Sequence, residues 1–157
     1  MTGWQQVHRR TDLLNAVLEH VSRTGSPQVP AAYLTEIDDE FGGLDDFLLA
    51  VHQRWSTAFA ARLDAVLEES PEDLPAALAR LHTDLAAVRP ALRAVLDNYH
   101  DNKALAAAED RQWRQLVAAT GVRVPTPEPV LPAEPTESGC FVLRFVNWRI
   151  RRVLDMA

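Results

Sequence analysis

The sequence predicts an all-α fold, a compact helical bundle of about five substantial helices, on three observations. Apolar residues recur at i, i+3, i+4 and i+7 through most of the first 121 positions, the spacing that puts them on one face of a helix. At the joints between these stretches stand the residues that start and stop helices: prolines and short polar side chains at starts, glycines at ends. The connections are short, which favours a bundle over a string of separate helices. At 157 residues, 47% hydrophobic and 24% charged, the chain is large enough to bury a core without disulfides or metal.

The first helix is predicted from about Trp4 to Arg23, with Val7, Leu13, Leu14, Val17, Leu18 and Val21 on its inner face and Gly25 as its stop. Ser26, Pro27 and Pro30 break the chain, and a short acidic helix from Ala31 to Phe41 follows, ended by Gly42 and Gly43. From Leu44 to about Glu69 the pattern is strongest: Leu44, Phe47, Leu48, Val51, Trp55, Phe59, Leu63, Val66 and Leu67 share a face. Asp45 and Asp46 occupy its first turn, where the helix dipole favours negative charge. Ser70, Pro71 and Asp73 read as the next start, with Ser70 as N-cap and Pro71 as the first helical residue. That helix carries Leu74, Leu78, Leu81, Leu85 and Val88 inward. Pro90 removes a backbone donor and opens another helix, with Leu92, Val95, Leu96 and Tyr99 inside. A last helix of the body, capped by Asp101 or Asn102, runs through Leu105, Ala108, Gln112, Trp113, Leu116 and Val117 to Gly121.

The chain divides into a helical body over 1–121, a Pro-rich linker over 122–137 and an apolar, basic C-terminal docking segment over 138–157. Five prolines in the sixteen linker residues exclude a helix or central strand and favour an extended tether, at roughly 3 Å per residue able to reach about 50 Å. As a helix capped by Ser138, the docking segment groups Phe141, Phe145 and Trp148, with Val142, Val146, Ile150 and Val153 on an adjoining face. As a strand, Phe141 to Trp148 has suitable length and composition. Length and the helical context favour the helix.

Charge is split along the same boundaries. The body carries −7, the linker −2 and the docking segment +3, which together make the net −6. An acidic body repels phosphate backbones, so nucleic-acid binding is not expected. The single cysteine, Cys140, cannot close an internal disulfide, and its apolar neighbours Phe141, Val142 and Leu143 fit a small buried side chain better than an activated thiol. With no signal peptide and no apolar run of roughly 18 residues, a cytoplasmic location is expected.

Few residues form a pattern of chemistry. Among five histidines, only His100 follows a carboxylate at helical spacing, in Asp97-x-x-His100, whereas bundle metal sites repeat such units on several helices. Neither metal nor cofactor is expected. Glu36, Asp38, Asp39 and Glu40 read as a solvated acidic face complementary to the basic docking segment. Gly42-Gly43 lacks the remaining glycines and lysine of a phosphate loop, and Ser56 and Ser138 lack a nucleophile-elbow setting. Four tryptophans are large anchors in so short a chain; Trp55, Phe59 and Trp113 are core residues or the walls of a ligand pocket between helices.

EFGGLDDFLLAVHQRW, Glu40 to Trp55, resembles the junction in TetR-type regulators where the DNA-binding domain passes into the helical ligand-binding domain. RRTDLLNAVLEHVSRTG, Arg9 to Gly25, resembles that family's first helix. Together they cover about a third of the chain. The interval from Gly25 to Phe41 is too short, too acidic and too rich in proline for the family's helix-turn-helix. The resemblance therefore implies a helical body with a ligand pocket and a dimer-forming face, without DNA reading.

The leading expectation is a non-enzymatic interaction or regulatory protein. Its docking segment would engage its own body, a twin subunit or a partner protein through Phe141, Phe145 and Trp148 with Arg144, Arg149, Arg151 and Arg152. Two alternatives stand beside it. One is a TetR-like domain that binds an apolar small molecule; the other is peripheral membrane attachment through the docking segment.

Overall fold

The computed structural model describes residues 3–69 and 71–121, so the linker 122–137, the docking segment 138–157, Cys140 and the proposed cap Ser70 lie outside the described residues. Six helices follow one another: α1 (Gly3–Thr24), α2 (Ala31–Phe41), α3 (Leu44–Glu68), α4 (Leu74–Val88), α5 (Pro90–Asn98) and α6 (Lys103–Thr120). No strand occurs among the described residues. The short acidic α2 is a full member of the bundle, because Ile37 and Phe41 deliver its inner face to the core.

The longest helix is the hub. α3 packs against α2, α4, α5 and α6, while α1 lies across α2 and α5. Phe47, Leu48, Val51, Trp55 and Phe59 from α3 meet Val17 and Val21 from α1, Leu81 and Leu85 from α4, Leu92 and Leu96 from α5, and Leu105 and Leu116 from α6 in one continuous apolar core. Burying such side chains contributes about 1.5–3 kcal/mol each before the entropy of ordering is counted.

Helix ends follow local chemistry. α2 stops where Gly42 takes a left-handed conformation (φ +88°) and donates its N–H to the Asp38 carbonyl at 2.9 Å. Gly121 ends α6 the same way (φ +69°), donating to Val117 at 2.8 Å. Of the two expected caps for α6, Asn102 is the one used. Its Oδ1 accepts from the N–H groups of Ala104 and Leu105, both at 3.0 Å, while its Nδ2 donates to Asp45 at 2.6 Å. Asp101 stands one residue before the N-cap position, and its carboxylate meets the His100 ring at 3.0 Å.

Two expectations are corrected. α4 does not begin at Ser70-Pro71: Asp73 is its N-cap, accepting from Ala76 N–H at 2.9 Å, and Pro75 falls in its first turn. The later Asp-x-Pro pair competes successfully because the carboxylate caps while the proline, lacking an N–H, occupies a position that needs none. Val7 and Val88, assigned inward, are 57% and 61% exposed, and Leu67 is exposed too. They keep the helical period but lie within two turns of a helix end.

α3 and α6 run in the same direction. Asp45 pairs with Asn102 and Ser56 with Gln112, so contacts advance together by about 16 Å along both helices. The elbowed pair α4 and α5 returns the chain between these parallel neighbours.

Candidate functional site

Where α3, α5 and α6 converge, the apolar core gives way to polar side chains. Arg93 on α5 reaches inward with its guanidinium 5.2 Å from the centroid of the Trp55 ring, a cation–π contact. Its Nε and Nη2 both donate to Asp97 Oδ1 one turn on, and Nη2 also lies 3.5 Å from Glu109 on α6. Burial by itself disfavours the guanidinium charge. The charge and hydrogen bonds of Asp97, with Glu109 behind them, outweigh that and hold Arg93 above its ordinary value. His82 on α4 also packs edge-on against Trp55, their ring centroids 5.2 Å apart.

Beside the ion pair, His52 and Ser56 occupy successive turns of α3, and Ser56 donates to Gln112 Oε1 on α6 at 2.9 Å. His52 Nε2 is 3.5 Å from Ser56 Oγ. Burial pushes the His52 imidazole below its ordinary value; hydrogen bonding with Gln112 opposes this, and the positive charges of Arg93 and Arg111 add to it. A serine–histidine pair evokes a nucleophile and base, but the chemistry needs the hydroxyl proton aimed at the imidazole. Here it is committed to Gln112, and the ring stands at the outer limit of hydrogen bonding. The arrangement joins three helices through satisfied polar groups.

Trp55 and Phe59 lie in the core and Trp113 packs half-buried against it. The two concavities described on this body have other linings, on the flank of α3 and at the α4–α5 elbow. Asp97 and His100 are drawn apart in function. The Asp97 carboxylate belongs to Arg93, whereas the His100 ring meets the Asp97 backbone carbonyl at 2.9 Å and the Asp101 carboxylate at 3.0 Å. No group of three or more metal-ligating side chains occurs among the described residues. Within the acidic run, Glu40 pairs with Arg9 at 3.2 Å and its carbonyl accepts from Arg10 at 2.7 Å, fastening α2 to α1. Phe141, Phe145, Trp148 and the four arginines of the docking segment lie outside the described residues.

The junction of His52, Ser56, Arg93, Glu109 and Gln112 was not singled out by pattern. Its signal was nonetheless present: His52 and Ser56 adjoin Val51 and Trp55 on the inner flank of α3, and Arg93 stands four residues before Asp97. The chain matches no protein-family model, and neither curated proteins nor solved structures include a significant match. No helix among the described residues is long and apolar enough to cross a membrane.

Proposed function

We propose that this chain is a non-enzymatic interaction or regulatory protein, in which the helical body presents one surface and residues 138–157 dock onto a protein surface. The observation that carries this reading is the division of chemistry along the sequence. An acidic body at −7 precedes a segment at +3 that concentrates Phe141, Phe145 and Trp148 among four arginines. Apolar surface of that kind gains by burial, and its charge directs it to an acidic face. The body offers such faces, since Glu36, Asp38, Asp39, Asp45 and Asp46 are exposed around the α2–α3 corner. Its interior polar groups are spent on each other, which supports a scaffold role over a catalytic one.

The test compares the full chain with a version lacking residues 138–157. Solution mass, thermal midpoint and partner retention are measured on both. The reading expects at least one of the three to change; identical mass, midpoint and binding would remove it.

A further inference from the structure

The body carries a second feature that the docking reading does not use. Arg54, on the flank of α3, and Arg89, at the elbow between α4 and α5, both line two adjoining concavities of about 200 and 400 Å³. In the first they stand with Ser22 and with Leu18 and Val88; in the second, with Gln53 and Thr57. No aspartate or glutamate lines either concavity, in a body where carboxylates outnumber cations. Neither arginine makes an ion pair among the described residues. Arg54 donates from Nη1 to Asn15, a neutral partner that orients the guanidinium and leaves its charge uncompensated. Val88, 61% exposed, adds an apolar wall beside the two cations.

We propose that this groove between α1, α3 and the α4–α5 elbow binds a small organic anion, its phosphate or carboxylate held by Arg54 and Arg89 and its apolar body laid against Leu18 and Val88. Guanidinium groups present planar pairs of N–H donors that match the oxygens of either headgroup. Two such residues lining the same concavities with no carboxylate in the lining favour an anion there in an otherwise acidic protein. The Ser22 hydroxyl and the second amide proton of Gln53 supply neutral donors beside the same headgroup, whereas the Thr57 hydroxyl is already donated to the Gln53 carbonyl at 2.9 Å. The concavities are shallow and open to solvent, so a ligand would lie along the groove with one side exposed. The assignment does not rest on docking of residues 138–157, and either can fail alone.

The test is calorimetric titration of the full chain with hexyl phosphate, with hexanol and inorganic phosphate as partial probes. Saturable one-to-one binding of hexyl phosphate is expected, tighter than either partial probe. Because Arg54 also ties α1 to α3, the deciding variant is Arg89→Gln, which removes no bond within the described body. It should weaken hexyl phosphate binding about tenfold, whereas Arg80→Gln, outside the groove, should leave it unchanged. No saturable binding, equal affinity for hexanol, affinity for inorganic phosphate equal to that for hexyl phosphate, or undiminished affinity in Arg89→Gln would each overturn the proposal.

Discussion

At position 52 an imidazole is held 7% exposed at the meeting of α3 and α6, near the positive charges of Arg93 and Arg111. The native chain therefore binds a proton there less readily than the unfolded chain, whose histidine titrates near its ordinary 6.5. As pH falls below that value the unfolded state takes up a proton that the native state refuses. Stability must drop, by at most about 1.4 kcal/mol per pH unit, until the native imidazole is itself protonated. His52→Gln removes this linkage. Urea midpoints at pH 7.5, 6.5 and 5.5 should fall less steeply for the variant than for the parent, and parallel curves would refute the assignment. Arg93 makes the complementary case. Asp97→Ala leaves a guanidinium among core residues with Glu109 as its remaining carboxylate partner, and should cost about 3 kcal/mol in urea unfolding. Replacing the pair together, Arg93→Met with Asp97→Leu, should cost much less, because burying two apolar side chains avoids the desolvation of two charges. Equal losses would refute this, because they would show that a guanidinium deprived of Asp97 carries no extra penalty.

A helix start in this protein is decided by which residue can do two jobs at once. Asn102 caps α6 through its oxygen and reaches α3 through its nitrogen, so one side chain starts a helix and ties it to its parallel neighbour. Aspartate is as good an N-cap by general preference. At this position Asn102→Asp should nevertheless destabilise by about 1 kcal/mol, because it replaces a donor with a carboxylate facing Asp45. Adding Asp45→Asn should recover most of that loss. Thermal midpoints of the two variants check the coupling, and an Asn102→Asp chain as stable as the parent would show that the link to α3 carries no weight. α4 teaches the same lesson in reverse. Ser70-Pro71 reads as the start, yet Asp73 provides the cap that is used, with Pro75 in the first turn behind it.

At the scale of the molecule, α3 holds four helices around a single core, and the acidic exterior is a property of the whole body rather than of any one site. If residues 138–157 dock through charge as well as apolar area, their contribution must depend on salt. The difference in thermal midpoint between the full chain and one lacking 138–157 should shrink as salt rises from about 0.1 to 1 M, where the screening length falls from about 10 to about 3 Å. A salt-independent difference would assign the docking to apolar burial alone. Its dependence on protein concentration separates the surfaces engaged, since contact with a second copy strengthens with concentration and contact within one chain does not.

The helical class, the boundaries of α1, α2, α3 and α5, the end of α6 and most of the core were determined by the sequence itself. Each follows from local causes: an apolar stripe at helical spacing, a proline at a first turn, a glycine able to adopt positive φ at Gly42 and Gly121. Tertiary structure alone decided the parallel course of α3 and α6, the cap chosen for α6, the exposure of Val7 and Val88, and the polar junction around Arg93. The same holds for the groove that brings Arg54 to Arg89. These depend on residues far apart along the chain, such as Ser56 with Gln112 and Val29 with the Tyr99 hydroxyl, 56 and 70 positions apart. A periodic pattern states which face a residue shares with its own helix. Which neighbour covers that face is set only when the helices pack, and with it whether an inward histidine or arginine finds a partner or an apolar residue finds water.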